Sequence, residues 1–83
     1  MNLSKQTAVV VGGGSGMGEA ISLGLASEGA TVIVAGRRQA KLDDVARRGG
    51  ENIFTHTVDV ANRDSVKTLF EWIRKRFAQL HLL

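Results

Sequence analysis

The chain has no cysteine, which rules out a disulfide framework and a thiolate metal site. Its two histidines, His56 and His81, lie far apart in the sequence and read as strand or surface residues, so no metal is expected. Long apolar runs are also missing. The stretch from Ala8 to Val11 is far too short to cross a bilayer and the opening MNLSKQ is polar. No membrane partner and no signal peptide are therefore expected, and the cytoplasm is the default location. Linkers, internal repeats and low-complexity segments are absent as well. What remains is a chain of 83 residues, 43% of them hydrophobic, which fits one domain over 1–83 rather than a disordered segment. A domain this small buries roughly 60–65% of its unfolded surface, so its stability margin is thin. The net charge of +3 favours anionic partners, but nucleotides, nucleic acid and acidic lipid share that chemistry.

Strand-like and helix-like stretches alternate along the chain. TAVVV (Thr7–Val11) and TVIVA (Thr31–Ala35) are β-branched and apolar on both faces, as strands of a buried parallel sheet should be. IFTHTV (Ile53–Val58) is a more mixed third strand suited to an edge, and LHLL (Leu80–Leu83) begins a fourth. The first helix is predicted from Gly16 to Glu28, with Met17, Ile21 and Leu25 spaced i, i+4, i+8 on one face and Gly29 placed for a left-handed C-terminal cap. A second spans Gln39 to Arg48. A third follows Asn62, a good N-cap, and buries Val66, Leu69, Phe70, Ile73 and Phe77, with Trp72 packing beside that stripe. The order βαβαβαβ implies an α/β fold with parallel pairing and right-handed crossovers. The expected strand order is 3-2-1-4, the first half of a Rossmann-like doubly wound sheet.

Between the first strand and the first helix the chain runs VVVGGGSGMGEA. Glycines at such a junction remove Cβ atoms where an anion can approach the free N–H groups of a helix N-terminus, which carries about half a positive charge. The spacing excludes a G-x-G-x-x-G fingerprint, because Met17 or Glu19 falls where the last glycine should be, and no Gly-Lys-Ser/Thr completes a P-loop. G-x-x-x-G-x-G is met by Gly12, Gly16 and Gly18.

This turn resembles that of the short-chain dehydrogenase/reductase family, whose usual form is T-G-x-x-x-G-I-G. Met17 stands for the isoleucine and Val11 for the threonine. The resemblance implies cofactor binding by Gly12, Ser15, Gly16, Met17 and Gly18. VAGRR (Val34–Arg38) ends the second strand, where family members that prefer NAD carry an acidic residue for the ribose hydroxyl. Here Gly36 leaves space, and Arg37 and Arg38 can take a 2′-phosphate, so NADP is the expected cofactor. VDVAN (Val58–Asn62) matches the family's adenine-contacting segment through Asp59 and Val60.

The resemblance covers the whole chain but only the cofactor-binding, N-terminal part of a family member. The family's catalytic serine and Tyr-x-x-x-Lys pair lie further on, and this chain has no tyrosine. Hydride transfer by these 83 residues alone is therefore not expected. Asp43 and Asp44 are adjacent on a helix and point apart, and Ser4, Ser15, Ser27 and Ser65 lack an evident histidine partner. A half-covered sheet with an apolar edge at Leu80–Leu83 is expected to self-associate or to pair with a complementing chain. Two other readings remain open. A methyltransferase also places glycines after its first strand, but Gly36-Arg37 stands where it wants an acidic residue. Arg47, Arg48, Arg63, Lys67, Arg74, Lys75 and Arg76 could serve nucleic acid, yet they fall on separate helices without an aromatic platform.

Overall fold

β-Branched residues pack well on a pleated surface, and they form the centre of the sheet. A computed structural model describes residues 6–12, 16–76 and the backbone of 81–82. β1 (Thr7–Val11) pairs in parallel with β2 (Thr31–Gly36), with Thr7 beside Thr31 and Val11 beside Ala35. β3 (Ile53–Thr57) lies parallel on the outer side of β2, from Val32 beside Ile53 to Gly36 beside Thr57. β4 (His81–Leu82) adds two residues alongside Ala8 and Val9, so the strands run β3-β2-β1-β4. The helices are α1 (Gly16–Ser27), α2 (Gln39–Gly49) and α3 (Arg63–Arg76), and they alternate with the strands.

Both faces of β2 are sealed: Val32, Ile33, Val34 and Ala35 are buried in succession. Val32 and Val34 pack with Val10 of β1, Ala26 of α1, and Leu42 and Val45 of α2. Ile33 and Ala35 turn the other way, onto Val9, Val58, and Leu69 and Ile73 of α3. Two helices thus cover one side of the sheet and one covers the other.

The buried face of α1 differs from the Met17-Ile21-Leu25 stripe. Met17 is 79% exposed and Ile21 42%, whereas Ser22 and Ala26 are buried and Gly18 is half-buried. Gly18, Ser22 and Ala26 share the same i, i+4, i+8 spacing. Being small, they let the helix backbone lie close to the sheet; Met17 and Ile21 take the outer face, while Leu23 and Leu25 are half-buried against the core. The buried Ser22 hydroxyl is satisfied locally, donating to the Gly18 carbonyl at 2.8 Å. α1 ends in a Schellman turn at Gly29, whose φ of +94° disfavours a side chain. There the Gly29 N–H donates to Ala26 and the Ala30 N–H to Leu25, at 3.0 and 3.1 Å.

α3 buries Leu69 and Ile73, with Val66, Phe70 and Trp72 packed beside them; Phe77 lies outside the described residues. Asn62 Oδ1 accepts from the N–H groups of Asp64 and Ser65 at 2.9 and 3.2 Å, satisfying donors that the helix leaves open. Asn62→Ala is expected to destabilise the protein by about 1 kcal/mol, lowering Tm by roughly 4–8 °C. A thermal melt by circular dichroism checks this, and an unchanged Tm would remove the cap from the account. Among the described residues no helix is long and apolar enough to cross a membrane.

Candidate functional site

The three long strands end together. The Gly12 N–H donates to the Ala35 carbonyl at 2.7 Å, and the Val58 N–H to the Gly36 carbonyl at 2.8 Å. These bonds tie the carboxyl ends of β1, β2 and β3 into one rim. In open parallel sheets this is the end at which ligands bind. A cleft of about 310 Å³ opens on the rim. Val11, Leu42, Val58 and Val60 supply apolar walls, Gly12 and Gly36 an edge without side chains, and Arg37, Arg38 and Lys41 the charge. Val11, the last residue of β1, is 40% exposed because it faces this cleft instead of a helix.

Gly12 has φ +82°, a conformation that L side chains rarely adopt, and a Cβ built there would meet nothing within 4 Å. A Cβ at Gly16, the first residue of α1, would also stand in open space. Both positions therefore leave room outside the fold. Met17 projects outward beside Gly16, while Gly18 faces the sheet. Ser15, with Gly13 and Gly14, lies outside the described residues.

The start of α2 is unusual in its charge. Arg38 occupies the N-cap position with φ −113° and ψ 106°, and its side chain makes no capping hydrogen bond. The first turn carries no acidic residue, although a helix N-terminus favours negative charge. Across the groove toward α1, Arg48 pairs with Glu19 and also with Asp44 at 3.1 Å. The hydrogen bond to Glu19 is the main cause holding the Arg48 guanidinium above its ordinary pKa. The group is solvated, so this bridge orients α1 against α2 and adds little stability.

Asp59 sits where β3 gives way to α3. Its N–H donates to the Ser65 hydroxyl at 2.9 Å, and its Oδ1 accepts from the Ala61 N–H at 3.0 Å, an Asx turn. One carboxylate oxygen is thus committed to the turn. Asp59, Thr57, Val58 and Ser65 line a second hollow of about 350 Å³, which shares Arg37 with the first cleft. Val60, 64% exposed, projects beside them. Trp72 belongs to packing: its ring lies 4.9 Å from that of His56 at 50°, and the Arg76 guanidinium sits 5.5 Å from its centroid. No three potential metal ligands among the described residues come together.

The structure therefore gathers Gly12, Arg37, Arg38 and Val60 on one cleft and Asp59 beside it, and places Gly16, Met17 and Gly18 on the first turn of α1. Sequence reasoning missed Lys41 and Ser65. Lys41 follows Arg38 by three residues, in the first turn of the helix that Arg38 opens. Ser65 follows the cap Asn62 by three, and that spacing is the signal it offered.

Known proteins are similar to this chain in sequence and fold. A family model described as short chain dehydrogenase matches residues 6–83. An uncharacterized oxidoreductase of Staphylococcus saprophyticus is 34% identical, over all of this chain and 37% of its own length. The chain spans about a third of the length of the curated relatives it matches. The crystal structure of a short chain dehydrogenase from Bacillus anthracis superposes with a TM-score of 0.88 at 30% identity, covering 95% of this chain and 34% of that one. A serine dehydrogenase solved in complex with NADP+ gives a TM-score of 0.75 at 30% identity, covering 80% of this chain and 27% of that one.

Proposed function

The chain belongs to the short chain dehydrogenase family, and from that premise we propose that it is the dinucleotide-binding N-terminal part of an NADP-dependent oxidoreductase. The observation that carries the choice of NADP is the cleft at the ends of β1 and β2. Glycine, not a carboxylate, ends β2 there, and Arg37 and Arg38 follow it directly. A carboxylate at that position would accept from a ribose hydroxyl and repel a 2′-phosphate. A guanidinium binds phosphate through two parallel N–H donors. The similarity to a serine dehydrogenase solved with NADP+ supports the same choice.

The residues fit the group. Backbone N–H groups at Gly16, Met17 and Gly18, on the first turn of α1, would face the pyrophosphate, together with Ser15. The apolar walls Val11, Val58 and Val60 would hold the adenosine, with Asp59 and the Val60 backbone at the adenine. When bound, the nicotinamide supplies or accepts a hydride. This chain's own residues bind and orient the cofactor. Having no tyrosine, it leaves the family's acid/base step to a segment outside these 83 residues.

Calorimetric titration with NADPH and NADH tests the reading. A charge-assisted contact to the 2′-phosphate contributes about 1.5–3 kcal/mol, so NADPH is expected to bind roughly ten- to a hundredfold more tightly. Arg37→Asp is expected to erase that preference. Equal affinities in the unaltered protein would overturn the choice of NADP.

A further inference from the structure

Resting on the reading of the β2–α2 corner as a 2′-phosphate subsite, we propose that Lys41 is a third phosphate-binding cation of that subsite and sets part of its selectivity. Lys41 lines the same cleft as Arg37 and Arg38. It stands in the first turn of α2, three residues after the extended N-cap Arg38. Arg37 and Arg38 leave the strand in succession, and Lys41 approaches from the helix side, so the cations border the cleft from two elements. Their chemistry is complementary as well. Arginine offers a rigid fork, whereas lysine brings a compact charge on a flexible stem that can settle on whichever oxygen the forks leave open.

A competing claim on the Lys41 ammonium comes from its other side. There Lys41 borders a shallow hollow that it shares with Glu19, Ala40 and Asp44. Two carboxylates in that hollow would draw the ammonium away from the cleft. Arg48 counters them, pairing with Glu19 and with Asp44, and Arg47 takes a second hold on Asp44 at 3.1 Å. With both acids engaged by arginines, the ammonium is free to serve the cleft. Lys41 is exposed, so its contribution is screened and falls below that of a buried pair.

The test uses two probes that differ only in the phosphate of interest, adenosine 2′,5′-bisphosphate and adenosine 5′-monophosphate, titrated into the parent protein and its variants. Lys41→Met is expected to weaken the bisphosphate about two- to fivefold, on the scale of a screened charge contact, and to leave the monophosphate unchanged. Lys41→Arg, which keeps the charge, is expected to retain most of the bisphosphate affinity. Unchanged bisphosphate binding in Lys41→Met, with a loss in Arg37→Asp, would overturn the role of Lys41 while leaving the subsite standing. Equal weakening of both probes would make Lys41 a structural residue and would also overturn it. A parent protein that does not distinguish the probes would overturn the subsite reading, and this inference with it.

Discussion

Gly36→Asp is expected to invert the cofactor preference, lowering NADPH affinity about a hundredfold and raising that for NADH. The reason begins with the backbone. Gly36 closes β2 without a positive φ, so an L residue can adopt its conformation. A Cβ there would come no nearer than 3.4 Å, to Leu42 Cδ2. The bond from the Val58 N–H to its carbonyl involves no side chain and is retained. The substitution therefore changes charge with little strain. A carboxylate on the rim would repel a 2′-phosphate, compete for Arg37 and Arg38, and accept from a free 2′-hydroxyl. Losing one charge-assisted contact of about 1.5–3 kcal/mol and adding repulsion gives the hundredfold scale. Calorimetry with both cofactors measures it. Equal losses for NADPH and NADH would mean that this corner does not read the ribose substituent.

Ile33→Ala is expected to cost about 2–5 kcal/mol, from lost burial plus the cavity left behind. Ile33 is fully buried in the middle of β2, between Val9 and Phe54 in the sheet and against the α3 side of the core. At roughly 0.05–0.15 kcal/mol per residue, 83 residues carry only about 4–12 kcal/mol of stability, so the change removes a large share of it. Ile21 provides the control. The same substitution at that outward-facing position of α1 is expected to shift stability by no more than about 0.5 kcal/mol. Urea unfolding of the two variants separates them. Equal effects would show that Ile21 is covered in solution or that Ile33 is not central.

The elements that could be read from the chain are those specified by their own residues. Val9, Val10, Val32, Ile33 and Val34 form strands because continuous β-branched runs suit a sheet buried on both sides. Asn62 opens α3 and Gly29 closes α1 because capping depends on a hydrogen bond or a φ within a few residues. The glycine turn belongs to the same class: Gly12 adopts a positive φ that few other residues tolerate. The cations Arg37 and Arg38 could be placed at the rim because they follow a strand end directly.

Other features needed the assembled chain. In α1 two stripes share one period, Met17-Ile21-Leu25 and Gly18-Ser22-Ala26. Periodicity gives the spacing of a face but not its direction. The sheet selected the small stripe, burying Ser22 and Ala26 and leaving Met17 and Ile21 outside, with Leu25 half-buried at its edge. Asp59 could be located after β3, but its commitment to Ala61, and the support of its N–H by Ser65, appear only once the turn has formed. The alternation of strands and helices, the glycine turn and the basic corner are thus legible in the chain alone, all set by short-range conformational preference. The buried face of α1, the meeting of Lys41 with the arginines on one cleft, and the reach of Arg48 back to Glu19 emerge only on folding. Those outcomes rest on contacts between elements distant in the chain, which local propensity does not encode.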